Sequence, residues 1–122
     1  MFLRVNQFGN TTSSSRAGVA ARYSNSTTSY TFGLAGNNTL TLQKGYATAI
    51  TNCAAISFTV ATGTWYALKI VVSGTSIKTY VDGVLKHSCT DSGVTAANSA
   101  SLFTGSGGTP GTLADFDDVF VY

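Results

Sequence analysis

The sequence predicts an all-β domain, a two-sheet antiparallel β-sandwich (jelly roll) with little or no helix. Three observations carry that prediction. The acidic side chains are five Asp with no Glu, and Leu, Lys and Arg are sparse, so helix-rich segments lack their usual residues. Ser and Thr make up about a quarter of the chain and charged residues only 10%, a bias of β-modules rather than of disordered tails. Short alternating runs recur between clusters of Gly, Asn and Ser, the spacing of a sandwich.

The elements follow in order. Phe2 to Phe8 reads as the first strand, then Gly18 to Tyr23, Tyr30 to Leu34, Thr39 to Gln43 and Ile56 to Val60. In the third segment Tyr30, Phe32 and Leu34 share one face and Thr31 and Gly33 the other; in the fourth, Leu40 and Leu42 oppose Thr39, Thr41 and Gln43. One sheet face is therefore apolar, and the other is expected to be a solvated, concave surface of hydroxyls and amides. Residues 47–55 contain Thr48, Thr51 and Asn52, which weaken any helix and favour a connecting loop.

The most sharply patterned stretch is GTWYALKIVVSGTSIKTYVDGVL, residues 63–85. Tyr66, Leu68, Ile70 and Val72 alternate, as do Ile77, Thr79 and Val81, while Ser73-Gly74 and Asp82-Gly83 supply the positive φ of tight hairpins. Strands over Tyr66 to Val72, Ser76 to Val81 and Val84 to Ser88 thus form a meander. Ser101 to Phe103 and Phe116 to Tyr122 complete the set, on either side of the Gly-rich GSGGTPGT, which lacks the Lys and following helix of a phosphate-binding loop.

Charge and hydropathy exclude some classes. The net charge is +2 and the seven Lys and Arg are scattered from Arg4 to Lys86, so no cluster neutralises several phosphates and nucleic acid is not an expected partner. No run approaches the roughly 18–20 apolar residues of a membrane helix, and no signal peptide is visible. Cys53 and Cys89 are the two cysteines: either one disulfide in an oxidising compartment or two buried thiols.

Four blocks, AGVAARYSNSTTSYTFGL, NTLTLQK, the 63–85 stretch and the closing ADFDDVFVY, resemble in residues and in order the concanavalin A-like, laminin-G-like jelly rolls appended to secreted bacterial polysaccharide-degrading enzymes. That resemblance implies a single sandwich over 1–122 and a structural calcium ion, with Asp117 as its carboxylate ligand. Members of the fold usually begin with one more strand, so a piece of a larger secreted, multidomain enzyme is expected. The same fold hosts hydrolases and lyases, so function has to come from residues.

Catalysis finds little support in them. Catalytic members of the superfamily use glutamates, absent here, and Asp117 and Asp118 are strand neighbours whose side chains diverge. Arg22, Tyr80 and His87 are the set from which a lyase site would have to be assembled. His87, the sole histidine, is expected on a strand edge. Asp117 alternates with Val119 and Val121, and Asp118 with Phe116 and Phe120, which directs one carboxylate toward an apolar layer and demands a partner for it.

Sugar recognition combines aromatic faces with planar polar groups. Arg22, Tyr23 and Tyr30 are the leading candidates, with Lys69 and Tyr80 behind them. Arg22 is read either as a fork for hydroxyls or a uronic carboxylate, or as the partner of an Asp such as Asp118. Tyr23 and Tyr30 are read either as core or as stacking platforms, Tyr30 because it lies near a rim, and Trp65 as a seal on the sandwich edge. The expected function is a non-catalytic, lectin-like carbohydrate-binding module targeting polysaccharide for a secreted enzyme. A laminin-G-like adhesion or protein-interaction module is the alternative, and a small lyase or hydrolase stands third.

Overall fold

The computed structural model describes residues 1–46, 48–94, 99–105 and 111–121. Among the described residues there are eleven strands: β1 Phe2–Gln7, β2 Arg16–Asn25, β3 Thr28–Ala35, β4 Thr39–Lys44, β5 Thr48–Ala49, β6 Ile56–Ser57, β7 Trp65–Ser73, β8 Ser76–Val81, β9 Val84–Thr90, β10 Ser101–Gly105 and β11 Leu113–Asp117. They pair antiparallel in two sheets, a five-stranded sheet ordered β11-β1-β7-β8-β9 and a six-stranded one ordered β10-β2-β3-β4-β5, with β6 also on β4. Among the described residues there is no helix.

The meander forms as the alternation requires. Val81 faces Val84 across Asp82-Gly83, whose φ values of 50° and 80° are the left-handed pair of a two-residue hairpin turn. Leu3, Val5, Tyr66, Leu68, Ile77 and Val81 from one sheet meet Ala17, Tyr30, Phe32, Leu34, Leu40 and Leu42 from the other, and this layer is the core. A Cys53–Cys89 disulfide, Cα–Cα 5.9 Å, ties β9 to the loop after β5.

Four expectations are corrected. The last strand covers Leu113–Asp117 rather than 116–122, because its pairing with β1 runs only from Gln7↔Leu113 to Phe2↔Asp117 and Asp118 then turns to φ 48°. Asp117 and Asp118, lying at and beyond that end, are both exposed, so neither carboxylate enters an apolar layer. Within 47–55 the loop holds a short strand, β5, paired to Gln43 and Lys44. The polar face of β3 and β4 is covered rather than solvated: Thr31 and Thr41 are buried.

The covering has a local cause. Gly45, at φ 58°, reverses the chain after β4, and its carbonyl accepts the Thr31 hydroxyl at 2.6 Å. That turn lays Tyr46 back over the outer side of the six-stranded sheet. On the other sheet, β1 pairs with β7 only over Phe2–Arg4, so beyond Lys69 that edge of β7 has no strand beside it among the described residues.

Candidate functional site

On the outer face of the six-stranded sheet the register places Phe103, Gly18, Gly33 and Thr41 in one row. The two glycines leave a bare strip of backbone. A Cβ on Gly33 would come within 3.1 Å of Phe103 Cζ, so the ring lies directly on that strip. Tyr46 approaches Phe103 edge to face, centroids 5.5 Å apart. With Ser14, Thr104 and Gly105 the two rings wall a pocket of about 320 Å³.

Arg16 is part of the same wall. It begins β2, is only 5% exposed, and its guanidinium carbon lies 5.6 Å from the Phe103 centroid. Nη1 donates to Gln43 Oε1, Nη2 donates to the Tyr46 carbonyl, and Nε is enclosed without an acceptor. Nearby on this face the buried Thr41 hydroxyl also has no partner. Burial pushes the Arg16 pKa below its ordinary value, while the nearby Tyr46 works against that shift. The pocket thus combines two aromatic edges with a buried cation in its wall.

The residues singled out in the sequence do not converge there. Tyr30 is fully buried, its hydroxyl donating to Asp91 Oδ2 at 2.7 Å, which excludes the stacking role its rim position suggested. Arg22 takes φ 48° at a break in the β2–β3 ladder, donates to the Val94 carbonyl at 2.9 Å, and is not paired with Asp118. Tyr23 is half-buried beside it. Lys69 and Tyr80 do meet, on the outer face of the other sheet, with Nζ 5.5 Å from the ring centroid.

Arg22 and Lys69 share one feature, a groove of about 740 Å³ at the open side of β7, floored by Val19, Ile70, Val72 and Leu102 and bordered by Phe120. Trp65 stands 40% exposed on the outer face of the five-stranded sheet instead of sealing an edge. Arg4 covers one side of its indole at 4.7 Å and is ion-paired with Asp115 at 2.7 Å.

His87, expected on a strand edge, is buried. Its Nδ1 and the Thr79 hydroxyl lie 2.7 Å apart, Nε2 is 3.2 Å from the Ala54 carbonyl, and burial pushes its pKa down despite the Ala54 carbonyl, which favours the charged form. This matches a neutral ring with its proton on Nε2. Among the described residues no group of three or more His, Cys, Asp or Glu converges, and Asp117 Oδ1 accepts the Asp118 N–H at 2.8 Å.

A family model described as the concanavalin A-like lectin/glucanases superfamily matches residues 5–122. The chain belongs to this superfamily. The two antiparallel sheets described above are the architecture of such a concanavalin A-like domain. No curated protein and no solved structure matches the chain.

The sequence did not expose this superfamily member's pocket because Arg16, Tyr46 and Phe103 belong to three separated segments that only the sheet register unites. The usable signal was the pair Gly18 and Gly33, small residues at outward positions of adjacent strands.

Proposed function

We propose that the protein is a non-catalytic, lectin-like module that binds carbohydrate in the Arg16 pocket. One observation carries this reading: Tyr46 and Phe103 rise beside Arg16 in a single cleft, the guanidinium held by Gln43. A pyranose offers C–H faces to such rings and hydroxyls to a guanidinium. The volume sits at the small end of ligand pockets, about 300–1,000 Å³, which suits recognition of one sugar unit within a longer polysaccharide.

The acidic groups favour binding over hydrolysis. Asp115 is held below the usual carboxylate range by hydrogen bonds from Asn6 and Arg4, the opposite of what a general acid needs. The disulfide supports a secreted setting, in which the module would hold a polysaccharide-degrading enzyme at its substrate. The test is calorimetric titration with oligosaccharides of the wild type, Tyr46→Ala and Phe103→Ala, each checked for folding by circular dichroism. A loss of about tenfold or more in both variants is expected; unchanged affinity in both sinks the assignment to this pocket.

The groove beside β7 favours a second reading, a protein-interaction module. An extended peptide pairing antiparallel with the open edge of β7 would satisfy its backbone and lay alternate apolar side chains on Val19, Ile70 and Leu102. Amide exchange that slows at residues 69–73 when a partner protein is added, and is untouched by oligosaccharide, would favour it over the first.

A further inference from the structure

The charge of the pocket narrows the sugar. The five Asp are the only acidic side chains in the chain. Asp115 pairs with Arg4 and Asp91 with Lys44, and these are the two ion pairs among the described residues. Asp82 accepts the Ala67 N–H at 2.9 Å and Asp117 the Asp118 N–H at 2.8 Å. None is paired with Arg16, although Arg16 is a buried cation with both ends of its fork on neutral acceptors.

A charge withdrawn from water without a counter-charge is costly, and removal to a protein interior is normally offset by a partner. The chain places the offset within reach and does not use it. Gln43, whose amide oxygen accepts from Nη1, is the neutral isostere of the glutamate that would neutralise the guanidinium from within. Phe103 supplies only a ring face. What is left is a guanidinium charge with no counter-charge, an enclosed Nε–H without an acceptor, and an opening to solvent beside the group.

Resting on the carbohydrate reading above, we propose that the pocket selects acidic sugars, with the anionic group of the glycan, a uronic carboxylate or a sulfate ester, set against Arg16 as its missing counter-ion. Both groups bring a full negative charge and acceptor oxygens to a guanidinium held in place by neutral partners. The role the sequence suggested for Arg22 thus passes to Arg16, since Arg22 is engaged with the Val94 carbonyl of the loop beside it.

The experiment titrates the whole chain with hexasaccharides of polygalacturonate, alginate and kappa-carrageenan, and with the carboxyl-reduced counterpart of the first two and the desulfated counterpart of the third. The acidic forms are expected to bind about ten- to a hundredfold more tightly than their neutral counterparts, the range of a charge-assisted hydrogen bond or two. The uronate and sulfate arms separate the two anions. Gln43→Glu supplies the counter-charge internally, so it should stay folded and lose the preference; Arg16→Gln should lose it too. Equal binding of acidic and neutral forms by the wild type, or a preference that survives Gln43→Glu, overturns the acidic selectivity and leaves carbohydrate binding standing. Failure of every oligosaccharide to bind overturns the carbohydrate reading itself, and the acidic selectivity with it.

Discussion

Tyr30 donates its phenolic hydrogen to Asp91 Oδ2 at 2.7 Å across 61 residues of chain, and that bond anchors the loop after β9 to the middle of the opposite sheet. The same phenolic oxygen accepts the Val94 N–H at 3.2 Å, while Asp91 also binds the Gly93 N–H and pairs with Lys44. Burial first, then the bond to Asp91, raises the Tyr30 pKa to about 12. Burial alone would push Asp91 upward, but the bonds from Tyr30, Gly93 and Lys44 outweigh it and hold the carboxyl below its ordinary value.

Tyr30→Phe keeps the ring in the core and removes the donor. Asp91 retains Lys44 and Gly93, but the buried Val94 N–H loses its acceptor, so the loss is a hydrogen bond to a charged acceptor, about 1.5–3 kcal/mol, and the pairing of one backbone N–H, about 1–3 kcal/mol. Urea denaturation should show a lower midpoint with an unchanged slope; an unchanged midpoint would mean that the bond contributes nothing net.

Acid should weaken the fold in two steps. His87 has a folded pKa below its unfolded value of about 6.5, so as pH falls through that value the unfolded chain takes up protons that the native ring refuses. Stability therefore drops from near neutrality downward, by at most about 1.4 kcal/mol per pH unit until the native ring titrates. Asp91, depressed in the folded state, adds a second loss only below its ordinary value of 3.8. Calorimetric Tm between pH 7.5 and 5 should fall for the wild type and stay flat in His87→Gln; parallel curves would exclude His87 as the cause.

What the sequence made legible was whatever local alternation decides. The 63–85 meander was readable because Tyr66, Leu68 and Ile77 alternate strictly and Asp82-Gly83 can adopt only a tight turn. Arg16 was invisible because RAG, at the start of β2, carries no alternation, and its burial depends on Gly45 turning Tyr46 back and on β10 bringing Phe103 across. Tyr30 shares the inward face of β3 with Phe32 and Leu34 by period, and of the two readings its sequence left open the structure places it in the core. Face assignment is local, whereas what covers a face is not.

Cys53 and Cys89 close a loop with a sequence separation of 36. The chain-entropy relation assigns such a loop roughly 4 kcal/mol, acting chiefly on the unfolded chain. The Cys53→Ser, Cys89→Ser double variant should lose a stability of that order in urea, and added reductant should lower the wild-type midpoint while leaving the variant unmoved. A reductant effect on the variant would point to some other cause.

Gly18→Ala and Gly33→Ala separate the scaffold from the pocket. A Cβ on Gly18 would stand 2.0 Å from the Phe32 carbonyl oxygen and 2.5 Å from Gly33 Cα, both backbone atoms that move only if β2 and β3 part. Overpacking of that kind costs about 1–3 kcal/mol, so Gly18→Ala should appear mainly as a lower urea midpoint. At Gly33 the added carbon meets the Ala17 carbonyl oxygen at 2.6 Å and also the Phe103 ring at 3.1 Å, and the ring can swing toward solvent. Gly33→Ala should therefore weaken oligosaccharide binding out of proportion to its loss of stability, because lifting Phe103 removes the wall that Tyr46 and Arg16 pack against. Equal affinity in Gly33→Ala and wild type, measured well below the midpoint, would show that the position of the ring does not matter to the ligand.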